Sequence, residues 1–187
     1  MQTQPPLRGK KVAILVAHGF EQVELTDPKQ VLEAAGAAVQ IVSPERAEVK
    51  GWQHTDWGDT FPVDVALADA KPGDYDALLL PGGVMNPDSL RNNKQAVAFV
   101  DHFVGARKPI AAICHGPWTL LETSAVRGRT MTSYPSIRTD LTNGGANWVD
   151  QEVVVDRGLV TSRKPDDLAA FNRKMVEEFA EGRHTRA

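Results

Sequence analysis

Three short runs of apolar residues, each followed by a glycine-containing turn, constrain the fold of this chain most strongly. Residues 11–17 read KVAILVA, residues 76–80 read DALLL, and residues 108–113 read KPIAAI. Continuous apolar runs, unlike alternating ones, are typical of parallel strands that helices cover on both faces. A chain of 187 residues, 42% of them hydrophobic, can bury such a sheet. The sequence therefore predicts an α/β fold: a flavodoxin-like three-layer sandwich with a mostly parallel central sheet flanked by helices.

The other segments supply the helices and the outer strands of this sandwich. Predicted helices cover residues 20–36, 93–107, 118–122 and 165–182, and further strands cover residues 39–42, 129–133, 152–155 and 159–162. We expect Gly36 to end the first helix and Pro28 to kink or divide it. Segment 50–74 is expected to be irregular, with hairpin strands. We predict a flexible tail over residues 1–9 and a single domain over residues 10–187.

Charge and hydropathy argue against several classes of partner. The net charge of −3 gives no attraction to nucleic-acid phosphates or anionic membranes. No apolar run approaches the roughly 20 residues that span a bilayer, and residues 1–9 lack the apolar core of a secretory signal. One cysteine cannot form an internal disulfide, which fits a reducing compartment. We therefore expect a cytoplasmic protein that binds neither nucleic acid nor membrane.

The lone cysteine, Cys114, stands where a strand is predicted to turn sharply into a helix. Pro117 is favoured in the first turn of that helix. A thiol at this elbow would lie over unpaired backbone N–H groups and the positive end of a helix dipole, and both favour the thiolate. A lone cysteine is more often a small buried hydrophobic residue. The strand, the elbow, the helix and the adjacent His115 together indicate a nucleophile instead.

Two other strand ends carry residues that suit the same site. In an open α/β sheet, sites form beyond the carboxyl ends of the strands. The first strand is followed by Glu21 and Glu24, and the second by Gly82 and Gly83, whose missing side chains let backbone N–H groups approach a ligand. Each feature alone has an ordinary explanation: a turn for the glycines, and a helix-dipole partner or a solvated charge for the glutamates. Their convergence with Cys114 is what predicts a site.

Several motifs carry a resemblance to a known family. They are AHGFEQVEL at 17–25, LPGG at 80–83, AICHGP at 112–117, TSYP at 132–135, NWVDQEVVVD at 147–156 and TSRKPDDL at 161–168. Through these motifs the chain resembles the PfpI family, from residue 11 to about residue 179 and without large insertions. That family contains intracellular cysteine peptidases, general stress proteins and protein deglycases, with a class I glutamine amidotransferase-like fold.

The resemblance implies roles for the residues around the cysteine. Cys114 matches the family nucleophile, and Glu24 matches a carboxyl group that contacts the cysteine sulfur. Burial would raise the pKa of such a glutamate, so that it stays protonated and donates a hydrogen bond to a thiolate. Gly83, which follows Gly82, and the backbone N–H after Cys114 match the position that binds an oxyanion.

The resemblance also implies the remaining members of the site. His115 matches the histidine that follows the cysteine, although adjacency in sequence does not by itself place the ring on the sulfur. In peptidase-like members, a glutamate lent across a subunit interface completes a triad. The matching residue here is Asp88, which is one methylene shorter. Tyr134 matches a tyrosine near the mouth of the site, and a buried structural aromatic is an equal alternative.

The sequence predicts no metal site and no cofactor. His18, His54, His102 and His184 share no metal-ligand spacing with one another or with Cys114. Gly82-Gly83 is not a dinucleotide-binding fingerprint, and the chain contains no Walker sequence.

Three functions fit this cysteine, and all three predict a thiol of low pKa. The preferred one is a stress-protective, cofactor-independent enzyme of the glyoxalase or deglycase type, which acts on reactive carbonyls or on their protein adducts. The second is an intracellular peptidase whose triad of Cys114, His115 and Asp88 is completed by a partner subunit. The third is a redox sensor based on oxidation of Cys114. Partners implied by the resemblance are a second copy of the chain, in a homodimer or larger homo-oligomer, and small carbonyl compounds or glycated proteins and peptides.

Overall fold

A seven-stranded sheet forms the centre of the fold. The computed structural model describes residues 4–184. The strands are β1 Lys11–Leu15, β2 Phe20–Glu21, β3 Ala38–Ser43, β4 Glu48–Gln53, β5 Asp56–Pro62, β6 Val65–Ala66, β7 Ala77–Leu80, β8 Ile110–Ile113, β9 Thr130–Met131, β10 Asn147–Trp148, β11 Val153–Asp156 and β12 Leu159–Ser162. The α-helices are α1 Val23–Ala34, α2 Met85–Arg91, α3 Lys94–Gly105, α4 Pro117–Leu120, α5 Arg138–Asn143 and α6 Leu168–Glu181.

The order of the central strands is β11-β12-β8-β7-β1-β3-β6. Neighbouring strands run parallel, except for the antiparallel pair of β11 and β12. The three central strands β1, β7 and β8 are the three apolar runs of the sequence, and nearly all their residues are buried. The predicted mostly parallel sheet, flanked by helices, is confirmed. Its topology brings the carboxyl ends of β1, β7 and β8 side by side.

Two apolar cores lie on opposite faces of this sheet. Successive residues of β1 alternate between them, since Ala13 and Leu15 belong to one core and Val12 and Ile14 to the other. The first core contains residues of α3 and α5: Phe99, Phe103 and Leu141. The second contains residues of α1 and α6: Leu25, Leu32, Leu168, Phe171, Met175 and Phe179. The predicted last helix is therefore present, and it packs its apolar face against the sheet.

The predicted helix over residues 20–36 is shorter than expected at both ends. Residues Phe20–Glu21 form β2, which pairs with β4, so α1 starts at Val23. The helix ends at Ala34, and Gly36 follows with a φ of +96°, a region that favours glycine. Pro28 does not divide α1. Leu25, before the proline, and Leu32, after it, are buried and hold the helix against the sheet.

Other differences concern short elements near the site. The helix α2 was not predicted; Pro87, at its third position, is compatible with a first helical turn. The predicted strand 129–133 reduces to β9, which pairs with β10 outside the central sheet. It ends early because the N–H of Thr132 donates to the side-chain hydroxyl of Thr161 in β12 rather than to a backbone carbonyl of a neighbouring strand. The expected hairpin within residues 50–74 is formed by β4 and β5.

The described part of the predicted flexible tail, residues 4–9, is instead a turn packed on the domain. Leu7 is fully buried, and its N–H donates to the carbonyl oxygen of Ala35 at 2.9 Å. The segment is held in place because the apolar side chain of Leu7 is buried in the second core. Residues 1–3 lie outside the described part of the chain. Within residues 4–184, no helix combines the length and apolar character needed to cross a membrane.

Candidate active site

Cys114 lies at a sharp turn between β8 and α4. Its φ of +62° is in the left-handed region, which strains the backbone of a residue with a Cβ atom. Its N–H donates to the carbonyl oxygen of Ser162 at 3.0 Å, which ties the strained residue to β12. Gly116 allows the close turn, because a Cβ atom there would overlap the carbonyl oxygen of Leu80. The predicted elbow is therefore present at the carboxyl end of β8.

His115 contacts both Cys114 and Ser136. Its Nδ1 atom is 3.2 Å from Sγ of Cys114, and its Nε2 atom is 3.0 Å from Oγ of Ser136. The ring stacks on Tyr134, with 4.7 Å between centroids. Burial lowers the pKa of His115, so the imidazole is neutral at pH 7. A neutral ring that donates from Nε2 to Ser136 leaves Nδ1 free to accept the thiol proton.

Glu24 supplies a buried carboxyl group beside the thiol. It is completely inaccessible to solvent, its Oε2 atom accepts the N–H of Gly82 at 2.8 Å, and its Oε1 atom makes no hydrogen bond with residues 4–184. Burial raises the pKa of Glu24 to about 8, although the Gly82 N–H and the Cys114 thiol act in the opposite direction. Glu24 therefore carries a proton at neutral pH and can donate a hydrogen bond.

Burial also raises the pKa of the Cys114 thiol, which corrects the expectation of a low-pKa thiol. The residue is only 7% exposed, so its charged form loses most of its hydration. Ionisation of Glu24 would raise this pKa further, whereas the backbone N–H groups of Gly83 and His115 lower it. The helix expected to favour the thiolate is the single turn α4, whose dipole is small. The thiol therefore needs a neighbour that accepts its proton.

Gly82 and Gly83 have different structural roles at this site. The N–H of Gly82 is bound to Glu24, so it is not free to donate to an oxyanion. Its missing side chain is still required, because a Cβ atom would lie 2.5 Å from Oε2 of Glu24 and 2.7 Å from Cβ of Cys114. Gly83 has a φ of +72°, and its N–H approaches the sulfur together with that of His115. These two N–H groups are the candidate oxyanion donors.

Asn86 and Ser136 are two site residues that the sequence analysis missed. The buried side chain of Asn86 donates to the carbonyl oxygens of Pro81 and Gly82, both at 3.0 Å, and accepts the N–H of Ala17 at 2.7 Å. It thereby joins the ends of β1 and β7. Ser136 lies in a 3₁₀ turn just after the TSYP motif. In the sequence, the only indication of a role is that Asn86 lies close to the LPGG motif and Ser136 follows the TSYP motif.

Asp88 lies apart from the other predicted catalytic residues. It is exposed in the first turn of α2 and does not line the cysteine cleft of this chain. The ring nitrogen of His115 that faces away from the sulfur is bonded to Ser136. The structure thus brings together Cys114, His115 and Glu24, and it leaves Asp88 outside the group.

A cleft of about 670 Å³ connects the cysteine to solvent. Apolar side chains surround its mouth: Val84, Met85 and Tyr134 are 55%, 42% and 39% exposed. Tyr134 therefore lies at the mouth, and the alternative of a buried structural aromatic is wrong. Polar side chains that also line the cleft include His54, Lys164 and Asp166. A cleft of this volume accommodates a small molecule.

Among residues 4–184, one group of side chains has ligand atoms close enough together to hold a metal ion, and it lies away from the cysteine. Its members are Glu178, Glu181 and His184, at the carboxyl end of α6, with ligand atoms within 4.8 Å of one another. Nε2 of His184 is 2.9 Å from Oε2 of Glu178, so a direct contact between these two side chains already accounts for part of this cluster.

Comparison with known proteins relates this site to a family. The profile of the DJ-1/PfpI family matches residues 10–178. An uncharacterized protein of Staphylococcus haemolyticus is 48% identical over 91% of this chain and 98% of its own length. An uncharacterized protein of Staphylococcus aureus is 47% identical over the same shares of the two chains.

Solved structures agree with these sequence matches. DJ-1beta of Drosophila melanogaster is 30% identical with a TM-score of 0.82, and the match covers 91% of this chain and 90% of that one. A two-domain protein of Anabaena variabilis, with DJ-1/ThiJ/PfpI-like and ferritin-like domains, is 36% identical with a TM-score of 0.84. The match covers 90% of this chain but only 47% of the two-domain protein.

Proposed function

The chain belongs to the DJ-1/PfpI family, and we propose that it is a cofactor-independent cysteine enzyme that converts reactive carbonyl compounds into hydroxy acids. Membership supports, at the level of the family, a stress-related cysteine enzyme. The finer proposal rests on one observation: Sγ of Cys114 lies 3.2 Å from Nδ1 of a neutral His115, beside the protonated Glu24. A nucleophile, a base and an acid in one small cleft suit addition to an aldehyde.

Methylglyoxal is the simplest substrate for such a site. The Cys114 thiol loses its proton to Nδ1 of His115 as sulfur bonds to the aldehyde carbon, and protonation of the aldehyde oxygen completes a hemithioacetal. Glu24, having given its proton to the aldehyde oxygen, takes the hydrogen on that carbon as a proton and returns it to the neighbouring carbonyl carbon, whose oxygen receives the proton held by His115. The hydroxyl proton of the first carbon then returns to Glu24, which leaves a lactoyl thioester. Water hydrolyses the thioester to lactate and restores the thiol. The substrate is oxidised at one carbon and reduced at the next, so no external oxidant is needed.

The site residues divide the proton transfers of this scheme. His115 takes the thiol proton first and can return it to the substrate later, while Ser136 fixes the orientation of its ring. Glu24 holds a proton next to the reacting carbon, and its Oε1 atom, which has no hydrogen-bond partner among residues 4–184, is available to exchange that proton. The N–H groups of Gly83 and His115 stabilise the negative oxygen that forms when sulfur adds to the carbonyl group.

The peptidase alternative receives less support from the geometry. A triad with Asp88 of a partner subunit would require that carboxylate to reach His115, whose outer nitrogen is already bonded to Ser136. Cys114 is largely buried, and this low exposure also suits a compact substrate better than an extended peptide. We further propose self-association, since three apolar side chains at the cleft mouth are more than one third exposed: Val84, Met85 and Tyr134.

The test is lactate formation from methylglyoxal by the purified protein, without glutathione or added metal. We expect turnover by the wild type, none by Cys114→Ser and a large loss in His115→Gln. The matched control His102→Gln changes an exposed histidine on α3 and should keep full activity. A fluorogenic peptide is assayed in parallel. Peptide cleavage without lactate formation would favour the peptidase, and a readily alkylated thiol with neither activity would favour the redox sensor.

A further inference from the structure

A second cavity, of about 510 Å³, lies at the end of the central sheet opposite to Cys114. We call it the basic cavity. Its walls include Lys108, just before β8, and the Arg157-Gly158 turn before β12. At roughly 3.3 Å per residue along a strand, Lys108 lies about 20 Å from Cys114. The basic cavity is therefore separate from the cysteine cleft, and no step of the proposed reaction uses it.

Positive side chains dominate the basic cavity. They are Arg107, Lys108, Arg127, Arg129 and Arg157, with His184 beside them. No carboxylate is among the described residues that line the cavity. A chain with a net charge of −3 thus places five of its 21 lysine and arginine residues around one concave surface. Their like charges repel one another, and a concave wall focuses their field on an anion that enters.

Hydrogen bonds to backbone carbonyl oxygens and to one carboxylate hold two of the guanidinium groups in place. Nη1 of Arg129 donates to the carbonyl oxygens of Asp156 and Arg157, at 2.6 and 2.9 Å. Arg157 is bound through Nε to the carboxylate of Asp156 and through Nη2 to the carbonyl oxygen of Gly128, both at 2.8 Å. Among residues 4–184, Nε and Nη2 of Arg129 and Nη1 of Arg157 are left without such partners. Donors fixed in advance lose little conformational entropy when a ligand binds.

The other cations contribute in two ways. Arg107 and Arg127 are exposed on the outer walls, where their flexible side chains can close over a ligand. The ammonium group of Lys108 is bound to the carbonyl oxygens of Pro72, Gly73 and Tyr75, so it adds charge rather than a free donor. Carboxylates behind the lining offset part of this charge: Asp156 lies beside Arg157, Asp74 and Asp76 act on Lys108, and Glu178 contacts His184.

We propose that the basic cavity binds a small anion that carries a diphosphate group. Planar guanidinium groups bind phosphate oxygens through paired hydrogen bonds, and four of them surround this cavity. Two linked phosphates supply several negative charges, which suit a lining that has five lysine and arginine side chains and, among the described residues, no carboxylate. The volume is that of a small-molecule site. The apolar side chains of Val104, Ala125 and Leu159 can contact an organic group attached to the diphosphate.

Isothermal titration of the full-length protein with pyrophosphate and, separately, with ADP tests this proposal, at low ionic strength and without divalent metal. We expect both probes to bind, with affinity that decreases as salt is added. The double variant Arg107→Gln/Arg127→Gln should bind at least about tenfold more weakly, because charge-assisted hydrogen bonds are lost. The matched control Arg173→Gln alters an exposed arginine on α6 and should bind like the wild type. Circular dichroism checks that each variant is folded.

The two probes also distinguish the sources of the diphosphate. Tighter binding of ADP identifies an organic diphosphate that uses the apolar wall, and equal binding identifies the inorganic ion. The proposal is overturned if neither probe binds at millimolar concentration, or if the double variant binds as well as the wild type. It is also overturned if a short single-stranded oligonucleotide binds far more tightly than ADP, because the basic surface would then serve a nucleic acid.

Discussion

Replacement of Glu24 by Gln should remove a pH dependence that this buried carboxyl group gives to the stability of the protein. Burial raises the pKa of Glu24 from 4.5 to about 8 in the folded state. Between these two values the folded protein holds a proton that the unfolded chain has lost. The resulting stabilisation is fully present below pH 4.5 and is lost as the pH rises through 8. Because the two values differ by about 3.5 units, worth about 1.4 kcal/mol each, the loss is roughly 5 kcal/mol.

Urea unfolding of the wild type and of Glu24→Gln at several pH values between 5 and 8 measures this effect. Gln is nearly isosteric, can accept the N–H of Gly82 and never ionises. The free energy of unfolding of the variant, relative to the wild type, should therefore increase by about 1.4 kcal/mol per pH unit over this range. The exposed control Glu48→Gln should leave the difference constant. A constant difference for Glu24→Gln as well would refute a buried, protonated carboxyl group.

Three further predictions concern the neighbours of the cysteine. Ser136→Ala removes the hydroxyl group that orients His115, so kcat for methylglyoxal should fall about fivefold to tenfold with little change in KM; recovery in Ser136→Thr would separate loss of the hydroxyl from general damage. Gly82→Ala should lower the free energy of unfolding by about 2 kcal/mol or more, because its Cβ atom would lie 2.5 Å from Oε2 of Glu24. Thermal melts should find no such loss in Gly73→Ala, where a Cβ atom meets open space. Asp88→Ala should change lactate formation less than twofold, and a loss of tenfold would show that this carboxylate acts at the site after all.

The parts of the site that follow from the order of strands were predictable from the sequence. Continuous apolar runs identified β1, β7 and β8, and a parallel arrangement of these strands places their carboxyl ends together. The family resemblance singled out Glu24 and Gly83. The arrangement itself points to Cys114, to the pair Gly82 and Gly83 and to the pair Glu21 and Glu24, because each follows one of the three strands. Such inferences need only the period of the apolar pattern and the direction of the chain.

The parts that depend on side-chain direction and on burial were not predictable in this way. Contact between His115 and Cys114 requires the positive φ of Cys114, which no pattern of residue types encodes. Ser136 meets His115 only because a 3₁₀ turn returns the chain to the elbow. The expectation of a low pKa for the thiol was wrong for a related reason. That expectation rested on backbone N–H groups and a helix dipole, whereas the largest effect on the pKa is desolvation, which depends on how the structure packs.

The raised pKa of the thiol bears on the choice between carbonyl chemistry and peroxide sensing. A cysteine that senses peroxide reacts as an exposed thiolate, whereas Cys114 is 7% exposed and holds its proton at neutral pH. Addition to an aldehyde does not need a standing thiolate, because the proton can move to Nδ1 of His115, 3.2 Å away, as the bond to carbon forms. The negative oxygen that results then meets the protonated Glu24 and the N–H groups of Gly83 and His115. We therefore expect burial to slow the oxidation of Cys114 while leaving a path for carbonyl addition, and this asymmetry supports the proposed enzyme over the sensor.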